Sequence, residues 1–353
     1  MNILTVIGAR PQFIKASVVS KALKEVGLNE ILLHTGQHYD HNMSEVFFNQ
    51  LGIPKPHYKL DINGCSHGEM TGRMLSEIEK ILLSEKPDRV LVYGDTNSTL
   101  AGALAAAKLH IPVDHIEAGL RSFNKKMPEE INRILTDQIS DILFCPTDTA
   151  VDNLKSEGFL NRDSKIYNVG DVMCDSVKYF SELSSVPVIS NIQPNYILCT
   201  IHRAENTDDP QRLTSIINAL NYINRDIAPV LLALHPRTKK IIGELGLEVS
   251  LNVIDPVGYL EMLSLIKSSN LVITDSGGLQ KEAYILGKFC VTLRDQTEWV
   301  ELLKNNVNKL AGADYNLIID LVKENFGNEV DTSLALYGSG NASKEIAKIL
   351  HSL

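Results

Sequence analysis

Ile3-Leu4-Thr5-Val6-Ile7-Gly8-Ala9-Arg10-Pro11-Gln12-Phe13-Ile14-Lys15 passes from an apolar, β-branched run through a glycine turn into a helix-period stretch extending to Val26. This is the first half of a βαβ unit, and the rhythm continues along the chain. Strands are predicted at Ile3–Ile7, Glu30–His34, Arg89–Asp95, Pro112–Glu117 and Ile142–Cys145, with helices at Gln12–Val26, Met70–Leu83 and Thr99–Leu109 between them. A second series follows at Tyr196–Ile201, Pro229–Leu234, Val253–Asp255, Leu271–Thr274 and Phe289–Leu293. Short apolar strands alternating with helices give parallel sheets covered on both faces, so the fold class is α/β with two doubly wound domains. The boundary is expected near Gly170-Asp171, giving domains 1–170 and 171–341. The irregular Ser181–Pro194 stretch follows a connecting helix, and the amphipathic tail 342–353 is available to pack back on the first domain.

The length of 353 residues supports two cores. With 34 Lys and Arg against 43 Asp and Glu, the net charge is −9, which argues against nucleic acid as a partner. No apolar run reaches the roughly 18–20 residues of a membrane span, and the N-terminus reads as a strand rather than a signal peptide, so a cytoplasmic location is expected. The cysteines, 65, 145, 174, 199 and 290, are odd in number and scattered, supporting neither a disulfide framework nor a zinc site. Cys199, three residues before His202, reads as a buried strand thiol rather than a nucleophile. The histidines between His34 and His41 meet no metal-ligand spacing, and no GxGxxG or GxxxxGK[ST] motif is present, so no metal and no cofactor is expected.

Ligands of open α/β sheets sit beyond the carboxyl ends of the strands, which makes strand-end polar residues the candidates for chemistry. Arg10, Lys15, His202, Arg203 and Arg237 collect there in an otherwise acidic protein, as an anionic small molecule such as a diphosphate would require; scattered surface charge is the competing reading. Ser276-Gly277-Gly278 opens a helix directly after a strand, where bare backbone N–H groups and the helix dipole favour phosphate. Glu282, one turn on, is placed to accept from both hydroxyls of a ribose. Asp95 and Glu117 end two strands expected to be neighbours. Glu129 lies in the first turn of a helix that starts at Pro128 and faces Arg133 at i, i+4. Three carboxylates bordering one site, with ionisation driven apart by repulsion and burial, suit proton transfer on two faces of a substrate.

Five blocks taken together, Ile7–Lys15, Gly94–Thr99, His115–Arg121, Pro128–Arg133 and Thr274–Ala283, resemble the non-hydrolysing UDP-N-acetylglucosamine 2-epimerase family, in order and over essentially the whole chain. The resemblance implies a GT-B fold, a UDP-sugar in an interdomain cleft, and a homodimer. It also implies a chemistry. The C2 proton is removed as UDP departs, leaving a 2-acetamidoglycal, and UDP returns as C2 is protonated on the opposite face. On this resemblance Asp95, Glu117 and Glu129 are the acid/base carboxylates. His202 joins the catalytic set by neutralising the departing diphosphate, with Arg10, Lys15, Ser276, Gly277 and Gly278. Arg133 orients carboxylates or phosphates, and Glu282 binds ribose.

Thr297-Glu298-Trp299-Val300-Glu301 stands where glucosamine-specific members commonly read TERPE, replacing an expected guanidinium with the only tryptophan. With the Gly8–Ala16 opening, this is closer to the subgroup acting on UDP-2,3-diacetamido-2,3-dideoxy-glucuronate, an intermediate in O-antigen (lipopolysaccharide) assembly; UDP-N-acetylglucosamine is the other candidate substrate. A core or interdomain anchor is the competing reading of Trp299. Gln37-His38-Tyr39-Asp40 lacks the second glutamine of the segment through which some members bind an activating UDP-sugar, so such activation is expected to be weak or absent. The rivals are a GT-B glycosyltransferase, a hydrolysing epimerase and a non-catalytic nucleotide-sugar sensor.

Overall fold

β1 (Asn2–Ile7) is buried at every residue but its first, as a central strand covered on both faces must be. In a computed structural model describing residues 1–37, 52, 55–183 and 192–353, it is an interior strand of a seven-stranded parallel sheet. The other strands are β2 (Asn29–His34), β3 (Tyr58–Lys59), β4 (Arg89–Tyr93), β5 (Val113–Ile116), β6 (Ile142–Cys145) and β7 (Lys165–Asn168), in the order β3-β2-β1-β4-β5-β6-β7. The chain reverses direction across the sheet between β1 and β4, which is where a doubly wound sheet binds its ligands. Helices α1 (Arg10–Glu25), α2 (His67–Glu85), α3 (Asn97–Lys108), α4 (Pro128–Gln138) and α5 (Asp148–Ser156) alternate with the strands. β1, β2 and β4 bury Leu4, Val6, Leu33, Val90 and Val92 against Met74, Ile78 and Leu82 of α2 and the alanines of α3.

A second sheet is six-stranded and also parallel: β8 (Ile197–Ile201), β9 (Val230–Leu234), β10 (Asn252–Ile254), β11 (Leu271–Thr274), β12 (Cys290–Thr292) and β13 (Asn308–Leu310), ordered β10-β9-β8-β11-β12-β13. Its switch point lies between β8 and β11. Two apolar clusters cover its faces, one built around Leu213, Ile216 and Leu220, the other around Leu265, Ile266 and Val272.

The chain divides into one unit of Met1–Ser176 with Tyr337–Leu353 and another of Val177–Leu336. The division therefore falls inside α6 (Val172–Leu183), six residues beyond the expected boundary, and residues 337–341 join the first unit. The reason is a cap supplied from a distant element. Asp175 accepts from the N–H groups of Ala342 (3.1 Å) and Ser343 (2.8 Å) and from the Ser343 hydroxyl (2.6 Å), satisfying the amino end of the terminal helix Ala342–His351, which packs on α1. Gly170 and Gly338 pass so closely that a Cβ on Gly338 would lie 3.1 Å from the Gly170 Cα. β3, β7 and β13 were not among the predicted strands; all three are sheet-edge strands of two to four residues, too short for a periodicity signal. Among the described residues no helix is long and apolar enough to cross a membrane.

Candidate functional site

In the first unit one buried amide organises the switch point. Gln12 accepts the N–H groups of Gly8 (2.8 Å) and Ala9 (2.9 Å) and donates to the Tyr93 carbonyl (2.7 Å) and the hydroxyls of Thr96 and Thr99 (3.0 Å each), tying the loop after β1 to the loop after β4. Gly8 has no alternative, since a Cβ there would fall 2.1 Å from both Ser98 Oγ and Thr35 Oγ1. Arg10 begins α1 half-buried, and Lys15, further along the same helix, is buried and ion-paired with Glu117. Glu117 follows β5 directly and has φ of +69°, a left-handed conformation for a residue with a side chain, which commonly marks a functional constraint.

Asp95 follows β4, the neighbour of β5, and its Oδ2 accepts from Arg133 Nη1 at 2.8 Å, while its carbonyl accepts from Asn132 at 2.9 Å. Burial pushes the Asp95 carboxyl above its ordinary value; Arg133 and Lys15 oppose this, while Glu117 and Glu129 add to it. The predicted pairing of Glu129 with Arg133 is replaced. Arg133 turns inward to Asp95 and to Glu130 (3.2 Å), and Glu129 lies exposed at the helix start. Glu130 is the structural one of the pair, accepting the N–H groups of Ser122 (2.9 Å) and Phe123 (2.8 Å). Gln37 accepts from the Ser98 hydroxyl at 2.7 Å; His38, Tyr39, Asp40 and His41 lie outside the described residues.

In the second unit the organiser is Asp275, at the end of β11. Its carboxylate takes the backbone N–H groups of His202 (3.0 Å) and Arg203 (2.9 Å), the Asn206 amide (3.2 Å) and, at 3.1 Å, the His202 Nδ1. The His202 side chain is 48 % exposed, so with Nδ1 engaged its Nε2 is the nitrogen left for a ligand. Ser276 caps α7 (Gly277–Ile285) by accepting from Leu279 N–H at 3.4 Å, and Ser276, Gly277 and Gly278 are half-buried. Glu282 is 5 % exposed on the same helix. Arg237 is exposed and paired with Asp208. Trp299 packs behind the glycine turn. Its indole N–H donates to the Gly277 carbonyl (2.9 Å), and the Lys281 ammonium lies 3.9 Å over its ring. Cys199 is buried in β8 and its thiol is raised well above its ordinary value, first by burial and then by Asp275 and Cys290. Cys145, Cys174 and Cys290 are buried as well, and Cys65 is half-buried.

Gln12, Asn132 and Asp275 stand inside the quoted blocks, yet their roles were not read from sequence. Their work is to bond backbone groups of distant segments, and no local pattern marks that.

Two doubly wound parallel sheets, each with its polar residues gathered beyond a switch point, place the protein in the GT-B class. Residues 21–351 match the family described as UDP-N-acetylglucosamine 2-epimerase. The chain is 63 % identical, over the full length of both chains, to the UDP-2,3-diacetamido-2,3-dideoxy-D-glucuronate 2-epimerase of Pseudomonas aeruginosa. Similar solved structures include the Methanocaldococcus jannaschii UDP-GlcNAc 2-epimerase in complex with UDP-GlcNAc and UDP, at a TM-score of 0.88, 41 % identity and full coverage of both chains. The Neisseria meningitidis UDP-GlcNAc 2-epimerase bound to UDP-GlcNAc also has a TM-score of 0.88, at 32 % identity with full coverage of both. The chain belongs to the UDP-N-acetylglucosamine 2-epimerase family and is an isomerase.

Proposed function

We propose that this enzyme inverts C2 of UDP-2,3-diacetamido-2,3-dideoxy-glucuronate by eliminating and re-adding UDP. The observation that carries the chemistry is the contrast between two carboxylates at neighbouring strand ends: Glu117 is bonded to a buried ammonium, whereas Asp95 is paired with Arg133 at 2.8 Å and shifted upward by burial against that pull. Two carboxyl groups in opposed settings are what a two-face proton transfer needs. One carboxylate takes the C2 proton, the C2–H electrons form the C1–C2 double bond, and the C1–O electrons leave with the diphosphate. On return the diphosphate oxygen adds to C1, and the protonated carboxyl on the other face delivers its proton to C2. Glu117 suits the accepting role, Asp95 the donating one, and Glu129 is the third member of the set.

His202, Arg10, Lys15 and the Ser276-Gly277-Gly278 turn stabilise the leaving diphosphate, where cations and N–H groups contribute most. Arg133 fixes Asp95, and Glu282 takes the ribose. The substrate assignment is supported by the identity to the Pseudomonas relative, whose name carries that sugar. We place the enzyme in the cytoplasm as a homodimer, serving surface-polysaccharide assembly.

Proton NMR in D2O tests this reading. Deuterium entering C2 of the diacetamido uronate, with the epimer growing and no lasting release of UDP, is expected. Exchange only with UDP-N-acetylglucosamine would move the substrate to the simpler sugar. Stoichiometric free UDP would mean a hydrolysing enzyme, and no exchange with either sugar would overturn the epimerase reading.

A further inference from the structure

His115 is fully buried in β5 with both ring nitrogens engaged: Nδ1 lies 2.7 Å from Asp137 Oδ1, and Nε2 lies 2.7 Å from the Gly94 carbonyl oxygen. A carbonyl oxygen only accepts, so Nε2 carries a proton. Asp137, also fully buried, already acts as an acceptor, taking the Gly119 N–H at 3.1 Å and Arg121 Nη1 at 2.7 Å on its Oδ2. Those two donors favour the carboxylate, whose Oδ1 then accepts from Nδ1. Arg121 in turn holds Glu157 through two further bonds of 2.7 and 2.8 Å. Glu157 is partly exposed, so the buried members of the cluster are His115, Asp137 and Arg121.

The geometry points to His115 as a positioning residue: an imidazolium that donates from both nitrogens and sets the distance between Asp95 and Glu117. This rests on the acid/base reading of those carboxylates. Gly94 immediately precedes Asp95, has φ of +62°, and comes so near Glu117 that a Cβ on it would lie 3.1 Å from Glu117 Oε2. Gly119, bonded to Asp137, lies two residues after Glu117. Asp137 is one helical turn beyond Arg133, which holds the Asp95 carboxylate. One ring and its carboxylate therefore join the turn carrying Asp95, the turn carrying Glu117 and the helix carrying Arg133. A neutral imidazole could keep only one of the two bonds as a donor, and the turn released would be free to shift.

The test is nitrogen-15 NMR of the full-length protein labelled at histidine, at about pH 7, with His115→Gln to assign the ring. His34 and His115 are the fully buried histidines among the described residues, and burial lowers His34 to about 4, so a buried ring protonated on both nitrogens at pH 7 is His115. Protonation on both nitrogens of His115 is expected; a singly protonated ring overturns the proposal. In folded His115→Gln, kcat should fall about 10- to 100-fold with KM and UDP affinity within about twofold, the pattern of misplaced carboxylates. Wild-type kcat in that variant overturns it too. Should the variant fail to fold, the wild-type spectrum decides. Full turnover in Asp95→Asn and Glu117→Gln would instead sink the acid/base reading, an outcome separate from the state of the ring.

Discussion

Lys15 of α1 and Glu117 beyond β5 form an ion pair whose side chains are only 9 % and 6 % exposed, 102 residues apart in sequence. Such a pair contributes little net stability by existing, but removing one partner strands a charge in a medium that cannot solvate it. Lys15→Met should therefore cost about 3–5 kcal/mol in urea unfolding, and Lys15→Met with Glu117→Gln should regain most of that. An additive double variant would show that the two charges do not depend on each other.

Asp95→Asn, Glu117→Gln and Glu129→Gln should each lower turnover by at least about a hundredfold while UDP affinity stays nearly unchanged, since none of the three carboxylates is among the groups assigned to the diphosphate. Near-normal activity in all three would refute the mechanism.

Asp95→Asn should be at least as stable as the wild type at pH 7, because Arg133 keeps Glu130 as an ion-pair partner at 3.2 Å. Because the folded protein raises this carboxyl, chiefly by burial, the fold disfavours its ionised form. Wild-type stability from this group therefore declines as pH rises through the raised value, and the variant's advantage should vanish below about pH 4, where the acid is protonated in both states. A variant less stable at pH 7, with the deficit growing with pH, would contradict this.

Asp275 behaves in the opposite sense. Burial alone would raise it, but the His202 ring and the backbone N–H groups of Arg203 and His202 outweigh burial and hold it low. Its contribution is fully present above the unfolded value near about 4 and is lost as pH falls through the lower folded value. Asp275→Asn should be less stable at pH 7, with the gap closing on acidification, and should bind UDP more weakly because His202 loses its anchor. A pH-independent gap would remove the carboxylate charge from the explanation.

Trp299→Phe deletes the indole donor of the Gly277 carbonyl, and Gly277→Ala drives a methyl to 2.6 Å from Oε1 of Glu298, whose Oε2 accepts from Arg294 at 2.9 Å. Both should weaken UDP by about tenfold without changing preference between UDP-sugars. Altered preference in calorimetric titrations with the two sugars would instead place the Trp299 ring against the sugar.

The strand-to-glycine-to-helix pattern announced the parallel sheets, because strands buried on both faces must be apolar throughout. The strand-end carboxylates and cations were visible for a related reason: such sheets expose their chemistry where apolar runs stop. Glu129 was read as the partner of Arg133 because i, i+4 spacing was all that could be seen. Asp95, reached only by folding, outcompetes it, and Glu130 shares the guanidinium.

What the sequence alone determined was the βα alternation, the positions of Asp95, Glu117, His202 and the Ser276-Gly277-Gly278 turn at strand ends, and the family those blocks resemble. These follow from periodicity and local order. Only the tertiary structure decided that Lys15 neutralises Glu117, that Asp175 ties the terminal helix to the first unit, and that His115 and Asp137 bind two turns together. Each of these contacts joins groups at least 22 residues apart. Their energy comes from burying polar atoms that must then find each other, and which atoms meet depends on strand order and helix packing, neither of which is written in any local stretch of the chain.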